Sequence, residues 1–553
     1  MNRPLLLTLL LAFTAPVLQA QTARQLWAVR YDGPANQSDS AYAVVVDANG
    51  DVVVTGYSED SGRKGDCYTA KYAAATGALL WEKRYNGPSN GYDSASALAV
   101  DTSGNVIITG YSESSGGNSN YYTAKYAAAD GALLWEKRYD GPFNDGGGAR
   151  ALALDASGNV IVTGNPKDYN PLPFLGFSQD YYTAKYAAAD GALIWEARYN
   201  GPSHGEDSVS DMAVDASGNV IVTGVTQGSK SRDSYTAKYA AATGALLWEA
   251  SYIGPAKKDD GATAVAVDGS GDVIVTGYSN GSVSGSDFYT AKYAAANGAL
   301  LWERLYNGPS NSADRANAVA VDASGNAIVT GYSITAGSSY GYYTAKYAAA
   351  NGALLWEKIY NATGISDEIS QAVKVDASGN VVVTGYTGAS PNGTGNGDDF
   401  YTAKYAAATG ALLWEARYNG PANKTDRVSG SKSLALTSDG GAVVCGSSFN
   451  GTNYDYATVR YAPPNLIDYA FGLDPANGSS QLPQWAVSNS TITTTFTQPP
   501  GVTGITYGAE WTTDLAAHPW IPIPDTGTGG SHTFSVPIGP DPRKFFRFTV
   551  SQP

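Results

Sequence analysis

Residues 71–88 read KYAAATGALLWEKRYNGP, and this stretch decides the fold. It returns almost letter for letter at 125–142, 185–202, 238–255, 292–309, 346–363 and 404–421. Its second half also stands alone near the start, as LWAVRYDGP at 26–34. Around each full copy lie four extended runs. In the first unit they are SAYAVVV at 40–46, DVVVTGY at 51–57, YTAKY at 68–72 and LLWEKRY at 79–85. The turns DANG at 47–50 and ATG at 75–77 join the first pair and the last pair. Runs rich in β-branched and aromatic residues, bounded by Gly, Asn and Pro, are strands. None has helical length with a 3.6-residue period.

Four strands per unit, at a period near 54 residues, is the arithmetic of a β-propeller blade. The tryptophan of the fourth run occurs eight times, at Trp27, Trp81, Trp135, Trp195, Trp248, Trp302, Trp356 and Trp414. The Asp-x-x-Gly turns begin at Asp47, Asp101, Asp155, Asp215, Asp268, Asp322 and Asp376, with TSDG at 437–440 as a degraded eighth. The last third run is YATVRY at 456–461, and no fourth run follows it before Pro463 and Pro464. The missing strand is the lone one at 26–31. The chain is therefore expected to be an all-β, eight-bladed propeller whose N-terminal strand completes the last blade and removes the sheet edges.

Spacing separates the two faces. From each Trp to the next Asp turn is always 20 residues up to Asp376, and from the Tyr opening the third run to its Trp is 13. In the first seven blades, every change of length falls between the second and third runs. Those loops share a face with the connections from one blade to the next, so one face is uniform and the other varies. Recognition usually sits on variable loops held by a rigid frame. The longest such loop is NPKDYNPLPFLGFSQD at 165–180.

Bulk composition agrees with many short strands: 64 glycines, 39 tyrosines and only 15% charged residues. A formal charge of −15 leaves no basic stripe for nucleic acid. Residues 1–20 read as a secretory leader, with Arg3, an apolar run from Leu5 and a small residue at Ala20. No later segment is apolar enough to span a bilayer as a helix. Only Cys67 and Cys445 are present, so disulfides are not the scaffold. The expected domains are a leader (1–20), the propeller (21–464) and a small C-terminal β-sandwich (465–553). The last shows period-2 runs such as TITTTF at 491–496 and KFFRFTV at 544–550.

Two resemblances rest on these motifs. The AVDASGNVIVTG core, as at 213–224, resembles the bacterial β-propeller (SBBP-type) repeat family, which implies an exported protein. The ATGALLW hairpin at 75–81 is similar to the tryptophan-docking motif of the eight-bladed quinoprotein dehydrogenases, which implies that Trp81 and its equivalents wedge between blades. That family's vicinal cysteine pair is missing, and no unrepeated Glu, Asn and Asp set for its calcium stands out. The segment 465–553 resembles accessory modules at the C-termini of exported bacterial proteins.

Candidate site residues come in two groups. An acidic residue precedes the first run of every unit: Asp39, Asp93, Asp145, Asp207, Asp260, Asp314, Asp367 and Asp426. They read either as a rim at the channel mouth, binding sugar or weakly binding Ca2+, or as side chains capping loop N–H groups. Eightfold repetition favours the cap. The second group is the apolar set of the long loop, Tyr169, Phe174, Leu175 and Phe177, which reads as a ligand anchor or a local mini-core. The Asp turns lack the spacing of calcium loops. The lysines of the third run and the glutamates of the fourth read as solvated or cross-strand charges on outer strands. Three histidines, His204, His518 and His532, provide no His-cluster metal site, and no nucleophile elbow is present.

The sequence thus points to an exported, monomeric, non-catalytic binding or scaffold protein, with no cofactor or metal. Its partner would be an extracellular glycan or protein bound on the variable-loop face. It would be secreted, periplasmic or held at the cell surface. The alternative is a hydrolase or lyase acting on extracellular polysaccharide with channel-mouth carboxylates.

Overall fold

The computed structural model describes residues 21–141, 146–169, 177–228, 230–281, 285–335, 339–361, 367–388, 397–464, 483–488, 491–499, 506–512, 520–537 and 545–551. The chain divides into two compact units, one running from Gln25 to Ala462 and one made of 1–24 with 463–553.

The first unit is an eight-bladed propeller. Blade 1 runs from its inner strand Asp39–Val46 through Val52–Glu59 and Gly65–Tyr72 to its outer strand Leu79–Tyr85, all antiparallel. Blades 2, 4, 5, 6 and 7 repeat that order. Blade 3 has a longer second strand, Val160–Tyr169, which also pairs with the short strand Phe177–Gln179. In blade 8 the N-terminal strand Arg24–Tyr31 pairs with Tyr454–Ala462, so the two ends of the array share one sheet. An ion pair from Arg30 to Asp455 (2.8 Å) crosses that join.

Local chemistry makes each hairpin. Asp47 accepts the N–H groups of Asn49 and Asp51 on one carboxylate oxygen, and Gly50 takes the left-handed φ of 83°. The turn between the last two strands closes with Ala73 N–H to Ala78 C=O and needs Gly77 at φ 69°.

One joint is repeated between blades. Trp81 of blade 1 donates its indole N–H to Ala128 C=O in blade 2 (3.2 Å), and its ring lies against Gly131, where a Cβ would come within 2.8 Å of it. The Lys71 ammonium reaches the same carbonyl and also pairs with Asp47 (2.7 Å). Beside it, Tyr85 of blade 1 stacks on Tyr122 of blade 2 at 4.0 Å. Trp27 does the same to Ala74 and Gly77 across the closure, with Arg460 in the place of the lysine and Tyr31 stacked on Tyr68. The third-run lysines are therefore not solvated. They are buried, each bridging its own blade's Asp turn to the next blade. The fourth-run glutamates also have partners: Glu82, Glu136, Glu196, Glu249, Glu357 and Glu415 accept tyrosine hydroxyls from the third strand.

The joint between blades 7 and 8 is the exception. The chain leaves blade 8 after Ala462, so no hairpin presents a glycine and a carbonyl to Trp414. Its indole N–H has no hydrogen-bond partner among the described residues, although the side chain is only 3% exposed. Register also puts Ala457 where the other third strands carry the stacking tyrosine (Gly446↔Ala457 against Gly56↔Tyr68). Lys404 still binds Asp376 (2.8 Å) and turns to Gly440 C=O (2.9 Å).

Cys67 and Cys445 are free, buried thiols whose pKa values burial pushes up. The C-terminal part of the second unit is a β-sandwich. One sheet contains Ala486–Ser488, Thr491–Thr497 and Ser531–Pro537; the other contains Ile521–Ile523, Thr506–Thr512 and Phe545–Ser551. Tyr507, Ala509, Ile523, Phe534 and Val536 form the core between them.

The missing contacts at one joint give a directional prediction. Trp81→Phe removes a satisfied indole N–H and is expected to lower unfolding free energy by about 1–2 kcal/mol. Trp414→Phe removes no such bond and should cost about 1 kcal/mol less. Urea unfolding midpoints compare the two, and an equal or larger loss at Trp414 would contradict this account of the joint.

Candidate functional site

The acidic positions do not form an open rim. Asp39, Asp93, Asp207, Asp260, Asp314 and Asp426 open the inner strands but are completely buried. Each accepts a backbone N–H from the glycine six residues earlier: Gly33 to Asp39 (2.6 Å), Gly87 to Asp93 (2.6 Å), and likewise Gly201, Gly254, Gly308 and Gly420. The Asn-Gly-Pro loop folds back over its own carboxylate, which explains why the residue type recurs. In blade 7 the register assigns this place to Glu368, opposite Thr387 and fully buried, whereas Asp367 is exposed. In blade 3 register puts Gly147 there, with no carboxylate; Asp145 lies outside the described residues.

Burial raises the pKa of Asp39 to about 6, against the lowering effect of the Ser58 and Gly33 hydrogen bonds. Burial likewise raises Asp93, Asp260, Asp314 and Asp426. The turn aspartates behave oppositely. Burial alone would raise Asp101, Asp155, Asp215, Asp322 and Asp376, but bonds from the neighbouring Asn and Lys hold all five below the ordinary range.

Of the long-loop residues, Tyr169 and Phe177 are paired opposite one another in the short ribbon of blade 3. Phe174 and Leu175 lie outside the described residues.

Two places on the propeller escape the repeat. The first is the mouth on the variable-loop face. Tyr57, Tyr111, Tyr278, Tyr332 and Tyr386 hold one register on the second strands and are half-buried, forming a partial collar. At three of these rings the next blade's residue after its acidic position lies against the tyrosine. In blade 6 it is Arg315, whose guanidinium lies 4.5 Å from the Tyr278 centroid; in blade 8 it is Arg427, 5.1 Å from Tyr386. In blade 3 it is Gly148, whose missing side chain would start 3.0 Å from Tyr111. A cavity of about 330 Å³ opens there, lined by Tyr111, Ser96, Asn118, Ser119, Arg150 and Gln179 among others. Its wall is held by Asn165, which donates to the Ser208 hydroxyl (2.9 Å) and accepts Val209 N–H (2.7 Å) from blade 4.

The second is the axis. A cavity of about 270 Å³ is girdled by one apolar residue from each blade: Val44, Leu98, Leu152, Met212, Val265, Val319, Val373 and Leu434. The inner strand of blade 8 is broken between Val428 and Leu434. Its Lys432 donates to Arg150 C=O and accepts Val44 N–H, spanning blades 1, 3 and 8. Asp211 and Lys374 also line this space; burial raises Asp211 and lowers Lys432. Among the described residues, no group of three or more His, Cys, Asp or Glu is placed to hold a metal ion.

Sequence reasoning missed the collar, the blade 3 cleft and Lys432. The signals were present: VTGY recurs at one register, GGG at 146–148 occurs in a single unit, and Asp426 to Thr437 spans 11 residues where Asp39 to Asp47 spans 8.

A family model described as the outer membrane protein assembly factor BamB matches residues 122–384. A search of curated proteins found no match. Among solved structures, the chain is similar to quinohemoprotein alcohol dehydrogenase ADHIIG from Pseudomonas putida HK5 (12% identity, 82% of this chain and 78% of that one, TM-score 0.47). It is also similar to quinohemoprotein alcohol dehydrogenase from Comamonas testosteroni (10%, 84% and 78%, 0.46) and to Saccharomyces cerevisiae Sqt1 (11%, 81% and 100%, 0.49).

The two sets of aspartates predict the pH profile. Asp39, Asp93, Asp260, Asp314 and Asp426 have folded pKa values above the unfolded value of 3.8, so their stabilisation is present below that value and is lost as pH rises, through about 6 for Asp39. The turn set has depressed values, so its contribution is lost as pH falls below about 4. Melting temperature should therefore peak near pH 4–5 and decline toward pH 7. Asp39→Asn, which keeps the cap without the charge, should gain roughly 1–3 kcal/mol at pH 7 and little at pH 4. A melting temperature that climbs steadily from pH 4 to 7 would refute this.

Proposed function

We propose that this chain is an exported, non-catalytic binding or scaffold protein whose recognition surface is the variable-loop face of the propeller. The observation that carries the reading is the distribution of repeated and unrepeated side chains. The uniform face is built from the same Asp turn in every blade but the eighth, while the collar, the cleft beside Tyr111 and the loop lengths differ from blade to blade. A rigid frame with an unrepeated rim suits recognition of a glycan or protein partner. The leader-like residues 1–20 and the likeness of 122–384 to BamB support a place in the periplasm or envelope. A hydrolase reading drew on channel-mouth carboxylates, and six of these are buried and committed to their own loops.

Site-directed PEG attachment tests the face. Cys67 and Cys445 are buried and should not react, so a cysteine introduced at exposed Ser61 labels the loop face and one at exposed Ser103 labels the turn face. For a ligand found by glycan array or by in-cell photocrosslinking from the loop face, PEG at position 61 should weaken binding at least about tenfold, and PEG at 103 should not. The reverse pattern, or release of reducing ends from a bound glycan, would overturn the reading.

A further inference from the structure

We propose that the cleft between blades 2 and 3 is a saccharide subsite, and that the sugar it takes carries a carboxylate. This rests on the loop-face reading and names the ligand class there. The evidence is a comparison of equivalent places in one molecule. Where blade 6 meets blade 5, and where blade 8 meets blade 7, the residue after the buried acid is an arginine lying over the preceding blade's tyrosine. Where blade 3 meets blade 2, that residue is Gly148, and its neighbours Gly146 and Gly147 take left-handed φ values of 95° and 141°. The guanidinium that covers Tyr278 and Tyr386 is missing here, and a cavity of about 330 Å³ stands over Tyr111. That is near the lower end of small-molecule sites, about 300–1,000 Å³, and suits one sugar ring.

The lining chooses among flat ligands. A sugar offers an apolar C–H face for an aromatic ring and hydroxyls around its edge. Asn118, Ser119, Ser96 and Gln179 surround the Tyr111 side of the cavity with amides and hydroxyls suited to that edge. Arg150 argues against a cation and for an anion. It is an exposed residue that lines the cavity, and no ion pair joins it to an acid among the described residues, in a chain of formal charge −15. A guanidinium binds a carboxylate in bidentate fashion. The overall negative charge is screened beyond about 8 Å at physiological salt, so the local arginine decides.

The wall is also built to stay open. Asn165 ties blade 3 to blade 4 through both ends of its amide, and Lys432 holds the Arg150 carbonyl from across the axis. Asn165 lies opposite Gly148 in the blade 3 ladder, and Lys432 binds the strand of Arg150 and Gly148 directly.

Calorimetric titration of the full mature chain tests this with three probes: oligouronates (galacturonate, mannuronate and glucuronate types), a neutral cello-oligosaccharide of equal length, and poly-glutamate. An oligouronate should bind, more weakly as salt is raised. Gly148→Arg, which supplies the covering group found in blades 6 and 8, should weaken it at least about tenfold, as should Tyr111→Ala; Arg150→Gln should abolish the preference over the neutral probe. Melting temperatures of the variants check that the fold persists, and Tyr111→Ala covers the case in which Gly148→Arg does not fold. The proposal is overturned if no oligouronate binds, if the neutral probe binds as well, or if poly-glutamate binds as well, which would make the partner an acidic peptide. It is also overturned if Gly148→Arg and Tyr111→Ala leave affinity unchanged. In that last case PEG at position 61 separates the two readings: blocked binding keeps the loop face and discards only this cleft.

Discussion

A single backbone carbonyl per blade holds this propeller together. Ala128 C=O receives the Trp81 indole N–H and the Lys71 ammonium from the preceding blade, and the same arrangement recurs around the ring. A carbonyl has two lone pairs, so both bonds can form together. The lysine is held at its other side by the Asp turn, which leaves no buried charge uncompensated. A buried ion pair is weak evidence for stability on its own, since desolvation offsets the attraction. Here its role is geometric: it ties the inner hairpin of one blade to the outer hairpin of the next. Glycine is required at the seat because the indole lies where a side chain would begin.

That joint explains which parts of the sequence were readable. Strand period, turn residues and the orphan strand at 26–31 gave the blade count and the closure, because each is a local pattern or a count. The tryptophan's place between blades was implied by the likeness of its ATGALLW hairpin to a known docking motif. Burial of the lysines was not. Lys71 looks like one polar residue in an alternating strand, and its partners are 24 residues upstream at Asp47 and 57 residues downstream at Ala128. Of the two readings of the acidic positions, the capping one matches the glycine N–H bonds, and only the rim depended on what the sequence leaves unseen. Adjacency to the innermost strand suggested the channel mouth, but the preceding Gly-Pro loop covers the carboxylate, and adjacency does not show covering. Counting acids also chose Asp145 and Asp367, where hydrogen-bond register selects Gly147 and Glu368.

Repetition therefore accounts for most of the side chains that hold the frame. Residues that recur in most blades serve the blade or its neighbour: capping acids, turn aspartates, lysines, tryptophans and stacking tyrosines. What is left over is small and clustered. It consists of the residues on the collar tyrosines, the glycine run of blade 3, Arg150 beside it, and the broken inner strand of blade 8 that reaches back to Arg150. Two of these departures, in blades 3 and 8, meet through the Lys432–Arg150 contact. An accidental loss of repeat identity has no reason to place its exceptions in contact.

The closing joint shows how much of the frame can be given up. Between blades 7 and 8 the indole bond, the glycine seat and the tyrosine stack are all missing, because the chain must leave blade 8 where its last hairpin would have been. What holds there includes the lysine, through Asp376 and Gly440, and the pairing of Arg427 and Asp426 of blade 8 with Asp398 of blade 7, together with the strand pairing of Arg24–Tyr31 inside blade 8. Closure therefore combines the backbone ladder that joins the two ends of the array with the Trp27 joint to blade 1, and only the joint from blade 7 to blade 8 goes without the indole bond. That division has a consequence for recognition. The cleft at blades 2 and 3 lies among complete joints, far around the ring from the incomplete one. A ligand bound there meets strands already fixed in place, so little ordering opposes binding. A site beside blade 8 would bind against a frame held at one side by fewer contacts.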